Sequence, residues 1–155
     1  MRQVSLAEVP EVLGTEFAAA DAKSPATEEE RANAESLQRM LHAIAAGRFD
    51  ELRELLAPDV AFELAAPPRF PWTRRAAGQD AVVAAIAHNF STVRDQMPHP
   101  LTMLARDDTV MIMARETGRL VETGEAYQVL LAHQFTFRDG RLAHFRSVST
   151  DDGPA

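Results

Sequence analysis

The last third of the chain leaves little freedom in what it can become. Leu101–Arg106, Thr109–Val121, Ala126–Phe137 and Leu142–Ser149 are runs of strand-forming residues. They are separated by D-D, T-G-E and R-D-G, the turn chemistry that antiparallel hairpins require. A meander of long antiparallel strands is therefore expected, and it needs other elements to cover one of its faces.

The residues upstream supply that cover. Thr27 is placed to cap a helix whose first turn, Glu28, Glu29 and Glu30, complements the positive end of its dipole. Leu37, Met40, Leu41 and Ile44 recur at helical spacing, and Gly47 ends the run. A short helix is expected from Phe49 to Leu56, stopped by Pro58. From Asp59 the period changes to two, with Val60, Phe62 and Leu64 alternating against Ala61, Glu63 and Ala65. Beyond Gly78, the residues Val82, Val83, Ile86, Phe90, Val93 and Met97 read as a third amphipathic helix ended by Pro98 and Pro100. Three helices on one side of a curved, mainly antiparallel sheet is an α+β architecture.

Composition narrows the function classes. A 155-residue chain that is 46% hydrophobic reads as a single globular unit. Residues 1–27 form an N-terminal arm, 28–150 the folded domain and 151–155 a tail. The net charge of −7 argues against nucleic acid as a partner, because phosphate backbones need a basic face. With no cysteine, disulfides, thiolate nucleophiles and cysteine-bound zinc drop out. No apolar run is long enough to cross a bilayer, and the acidic, proline-containing start does not resemble a secretory signal, so a cytoplasmic protein without membrane contact is expected. His42, His88 and His99 show no metal-ligand spacing, and neither a metal nor a cofactor is expected.

Three stretches point further: L-H-A-I-A-A-G-R-F-D-E-L-R-E-L-L-A-P-D-V-A-F-E-L, A-A-G-Q-D-A-V-V-A-A-I and F-T-F-R-D-G-R-L-A-H-F. Together they resemble the SnoaL-like branch of the nuclear-transport-factor-2-like superfamily over roughly residues 32 to 150. The resemblance implies a cone, with helices and a strongly curved mixed sheet enclosing a cavity. It also implies a range of activities, among them ketosteroid isomerases, polyketide cyclases, dehydratases, epoxide hydrolases and non-catalytic binders. Sheet-to-sheet homodimerisation is implied too, and suits an outer face carrying Met111, Met113, Ala132 and Val148 among Arg115, Gln134 and Arg146. At the three places where the isomerase branch has its base, its tyrosine and its protonated acid, this chain has Leu64, Met40 and His133. Leucine takes no proton and methionine donates no hydrogen bond, so steroid-type isomerisation is disfavoured and His133 becomes the residue of interest.

Turn chemistry then predicts what His133 faces. A two-residue type II′ loop at Gly124 and Glu125 pairs Leu120 with Val129, Gly118 with Leu131 and Glu116 with His133. The expectation is a His133–Glu116 acid/base dyad in an apolar wall that includes Ile112, Ala114, Leu131 and Phe135. For R-D-G, a three-residue loop with Gly140 in a bulge sets Phe145 beside His133 and Ser147 beside Leu131. A two-residue Asp-Gly turn would instead bring Arg146 beside His133 and charge the interior, so the bulge is preferred. Met40, Leu64 and Phe90 would complete the ligand wall, Asn89 could reach in from the roof, and Tyr127 would lie at the mouth near the hairpin tip.

The connection A-A-P-P-R-F-P-W-T-R-R-A-A-G carries three prolines, the only tryptophan and three arginines. It reads as a semi-rigid lid, with Phe70 and Trp72 turned inward and Arg69, Arg74 and Arg75 at the rim. An apolar ligand with one carbonyl or hydroxyl fits such a cavity. The protein is then an isomerase-, cyclase- or dehydratase-type enzyme, a binder using the same cavity, or an assembly module whose cavity is filled by its own side chains.

Overall fold

The computed structural model describes residues 27–153; the N-terminal arm, apart from Thr27, lies outside them. Thr27 opens helix α1 (Glu28–Ala45) with a reciprocal capping box. Its hydroxyl accepts from the Glu30 amide at 3.1 Å, and Glu30 accepts from the Thr27 amide at 3.0 Å. The other Glu30 oxygen accepts from the Asp107 amide at 3.0 Å, which ties the helix start to the turn between the third and fourth strands. These backbone donors hold the Glu30 carboxyl below its ordinary range.

Helix α2 (Phe49–Glu54) is shorter than expected, and strand β1 (Leu56–Ala65) begins before Pro58 rather than after it. Strand β2 (Arg75–Ala77) pairs antiparallel with β1 at the sheet edge. Helix α3 (Gln79–Ser91) is followed by strands β3 (Val93–Arg106), β4 (Thr109–Leu120), β5 (Ala126–Arg138) and β6 (Arg141–Asp151). The sheet order is β2-β1-β6-β5-β4-β3, and only the β1–β6 pair is parallel. Among the described residues three helices thus pack on an open six-stranded mixed sheet, the expected α+β architecture.

The third helix stops two turns early. Val93 and Met97 belong to β3, and their helical spacing is a coincidence that Pro98 should have exposed, since the residue before proline disfavours the α conformation. Pro98 and Pro100 are tolerated because β3 is an edge strand. The tail expected from residue 151 is held as well: Asp151 pairs with Arg69 at 2.6 Å, and Asp152 with Arg115.

Both hairpin registers differ from expectation. Around T-G-E the loop is wider than two residues, because Arg119 pairs with Ala126 and Gly124 takes its positive φ of 72° at the far end of the turn. Glu116 therefore faces Val129, and His133 faces Ile112. At R-D-G the two-residue turn forms, with Asp139 (φ 53°) and Gly140 (φ 73°) both left-handed between paired Arg138 and Arg141. The bulge lies instead next to Thr136 and Phe137, and it advances the register by one more residue, so that Ser147, not Phe145 or Arg146, faces His133.

Candidate active site

The registers stack the inner face of the sheet in rows. The lowest joins Val110, Phe135, Phe145 and Phe62; the next joins Met103, Ile112, His133, Ser147 and Leu64. Above these come Pro100, Ala114 and Leu131, then Pro98, Glu116 and Val129, and finally Gly118 and Tyr127. Met40 and Ile44 of α1 and Ile86 and Phe90 of α3 close over the rows, leaving a cavity of about 170 Å³. A cavity of ~150 Å³ already holds benzene, so there is room for a small ligand.

His133 and Ser147 form the polar spot on the lower wall. The imidazole lies between Phe135 (ring centroids 5.9 Å apart) and Phe145 (5.4 Å), and those two rings stack on each other at 4.7 Å. Nδ1 of His133 and Oγ of Ser147 are both buried without a hydrogen-bond partner. Burial lowers the His133 pKa to about 4, so the ring is neutral at physiological pH. Part of the ring surface remains open because it looks into the cavity.

Glu116 does not meet His133. The two occupy rows four residues apart, ~13 Å along the strands at ~3.3 Å per residue, so the expected dyad does not form. The partners of Glu116 are Tyr127, whose hydroxyl donates to Oε1 at 2.7 Å, and Gln96, whose amide donates to the same oxygen at 3.4 Å. Burial pushes the Glu116 carboxyl well above its ordinary range, and the two donors only partly offset this. Burial, and then the adjacent carboxylate, also raises the Tyr127 phenol, which keeps its proton.

Tyr127 is consequently not a mouth residue. It is 1% exposed and packs behind the cavity wall, edge-on to Phe70 with centroids 5.1 Å apart. Its room comes from Gly118 directly opposite, where an added β-carbon would lie 2.5 Å from the phenolic oxygen. Gln96 escapes a helical reading of this segment. A bulge in β3 between Arg94 and Met97, with Asp95 at φ 54°, turns it toward Glu116.

Residues 37–145 match the family of SnoaL-like domains. This chain belongs to that family. The SnoaL-like domain resembles an NTF2-like protein from Burkholderia xenovorans LB400 at TM-score 0.67 and 18% identity, covering 77% of this chain and 90% of that one. It resembles a candidate SnoaL-like polyketide cyclase from Jannaschia sp. CCS1 at TM-score 0.68 and 19% identity, covering 81% and 90%. A third relative in fold is an LEH-like epoxide hydrolase from M. tuberculosis, at TM-score 0.60, 15% identity and coverages of 77% and 84%. No curated protein matches the sequence. At these identities the likeness establishes the fold and leaves activity to the site itself.

In this SnoaL-like domain, Met40 and Leu64 stand in the cavity wall with Phe90, Leu131, Phe135, Phe145 and Ser147. The proline-rich connection reaches the cavity through Trp72 alone. Phe70 is buried behind it, stacked on the indole at 4.2 Å. Two of the three arginines are used structurally, and Arg75 is exposed on β2. Arg74 donates to the carbonyls of Ala66, Pro67 and Phe70, and Arg69 pairs with Asp151. Asn89 grips the connection from the roof, accepting from the Thr73 amide at 2.7 Å and donating to the Thr73 carbonyl at 3.1 Å. Trp72 is fixed by its own indole N–H, which donates to the Thr92 hydroxyl at 3.0 Å. Among the described residues no group of three His, Asp or Glu could hold a metal ion, and no helix is long and apolar enough to cross a membrane.

Proposed function

We propose that this SnoaL-like domain takes a small apolar carbonyl or hydroxyl compound into its cavity. On it the domain performs cofactor-independent acid/base chemistry of the isomerase, cyclase or dehydratase kind. The observation that carries this reading is the pairing of His133 and Ser147 across β5 and β6, each with an unpartnered polar atom, among the apolar residues of the lower wall. Unpaired buried polar groups cost stability, and a ligand oxygen would relieve that cost. The neutral imidazole has a lone pair to accept a proton from the carbon beside a carbonyl. The electron pair then moves to the carbonyl oxygen, toward which the Ser147 hydroxyl can rotate and donate.

A second reading, binding without turnover, is favoured by Leu64 and Met40 at the places of the isomerase base and tyrosine, and by the lack, among the described residues, of a carboxylate to orient His133. Cyclohex-2-en-1-one in D₂O separates the two. Proton exchange beside the carbonyl, followed by NMR and abolished in His133→Ala, supports catalysis. Quenching of Trp72 without exchange supports the binder, and neither response at millimolar ligand refutes a carbonyl site.

We also propose a sheet-to-sheet homodimer. On the outer face Met111, Met113 and Val148 are 47%, 41% and 51% exposed, an apolar set that association would cover. Sedimentation as a monomer at micromolar concentration would overturn it.

A further inference from the structure

The cavity has a second polar end that the preceding reading leaves idle. Tyr127 and Gln96 both donate to the same oxygen of Glu116, Oε1, so Oε2 has no protein partner among the described residues. The Gln96 carbonyl oxygen has none either, and both residues line the cavity. Gln96 is there because of a left-handed Asp95 and a bulge in β3, a local distortion of the kind that re-aims side chains at sites. Between this end and His133 lies the apolar row of Ala114 and Leu131.

We infer that the cavity is a two-ended slot for an elongate, uncharged molecule with a hydrogen-bonding group at each end, one set on His133 and Ser147 and the other on Glu116 and Gln96. This rests on the reading of the cavity as a ligand site. The rows are ~13 Å apart, and a hydrogen bond of ~2.8 Å at each end shortens the span to between ~7 and ~13 Å according to its direction, so roughly five to nine carbons separate the ligand's polar groups.

Charge follows from the lining. Among the described residues no lysine or arginine faces the cavity, so an anionic ligand would be buried without a partner. A cation would require an ionised Glu116, and desolvating both charges offsets much of their attraction. Burial favours the protonated form of Glu116, which presents an O–H donor beside the Gln96 carbonyl acceptor. Such a pair complements a hydroxyl or carboxamide.

The test uses α,ω-diols from C4 to C12, the matching 1-alkanols, octanoate and octylammonium, followed by Trp72 fluorescence and calorimetry. Octane-1,8-diol is expected to bind about fivefold more tightly than 1-octanol, one net hydrogen bond's worth, although water solvates the diol better. The advantage should be confined to roughly C5–C9. In Glu116→Leu and in Gln96→Leu the ratio of diol to alkanol affinity should fall to about one, and in Glu116→Gln the advantage should persist. If Glu116→Leu does not fold, Gln96→Leu gives the same reading. Diols weaker than alkanols at every length would overturn the two-ended slot alone. So would octylammonium binding tightest with affinity rising as pH rises. No binding by any member would overturn the ligand-site reading as well.

Discussion

Replacing Gly118 with alanine places a methyl carbon 2.5 Å from the Tyr127 hydroxyl oxygen and 2.6 and 2.8 Å from two ring carbons. No rotation of the phenol relieves contacts to the ring itself, and Tyr127 is sealed against Phe70, so the side chain must shift as a whole. Overpacking of this kind costs ~1–3 kcal/mol. The shift also breaks the 2.7 Å bond to Glu116, leaving a buried carboxyl short of its main donor for another ~1–3 kcal/mol. Together these give ~2–6 kcal/mol, which at ~2–4 °C per kcal/mol for a chain of this size lowers the melting temperature by at least ~4 °C. Thermal melts and urea titrations measure it. Tyr127→Phe should not rescue Gly118→Ala, because the ring carbons remain. Tyr127→Leu should rescue it in part, making the double variant less destabilised than the sum of its singles. A melting point within 2 °C of the parent, or strict additivity with Tyr127→Leu, would refute the idea that the glycine exists to seat the tyrosine.

Three further outcomes follow from the geometry. Because the His133 pKa falls to about 4 on folding from an ordinary 6.5, its neutral burial contributes stability that is present above pH 6.5 and lost as pH drops toward 4. Urea midpoints should therefore fall more steeply with acidification for the parent than for His133→Leu, by on the order of 3 kcal/mol over that window; parallel curves would count against a desolvated imidazole. Asn89→Ala removes both bonds to Thr73 and should cost ~1–3 kcal/mol while red-shifting Trp72 emission, as near-ultraviolet and fluorescence spectra will show. Gly140→Ala, at φ 73°, should cost ~1–2 kcal/mol without altering ligand quenching of Trp72; a stabilised variant would mean the turn is not left-handed there.

The fold was legible because its signals are local. Thr27 and Glu30 announce a capping box three residues apart, and the alternation of Val60, Phe62 and Leu64 announces β1. The errors came where one residue type has two uses. Gly124 can begin a II′ turn or close a wider loop in the left-handed region, and nothing within the T-G-E stretch distinguishes them. The deciding signal was distant: a glycine inside a strand, Gly118, and the chain's only tyrosine, whose contact selects the register. Val93 and Met97 continued a helical spacing, which hid the bulge that aims Gln96.

Why most of the cavity wall, unlike the dyad, survived two wrong registers has a parity explanation. The first hairpin is displaced by an even number of residues, and in the second the unexpected bulge compensates for the unexpected turn, so that Phe145 and Ser147 keep their face. Strand side chains alternate with period two, so an even displacement changes who neighbours whom but never which side a residue is on. Lining composition depends on faces alone, whereas a catalytic pair depends on neighbours. Burial selects strongly for the first, because an odd slip would carry Arg115, Gln134 and Arg146 into the apolar cavity, while two even registers differ only in finer packing. A sequence of this kind therefore specifies the chemistry of its cavity wall more firmly than the contacts within it. Separating Glu116 from His133 leaves the apolar row of Ala114 and Leu131 between them, and that row gives the cavity two polar ends instead of one dyad.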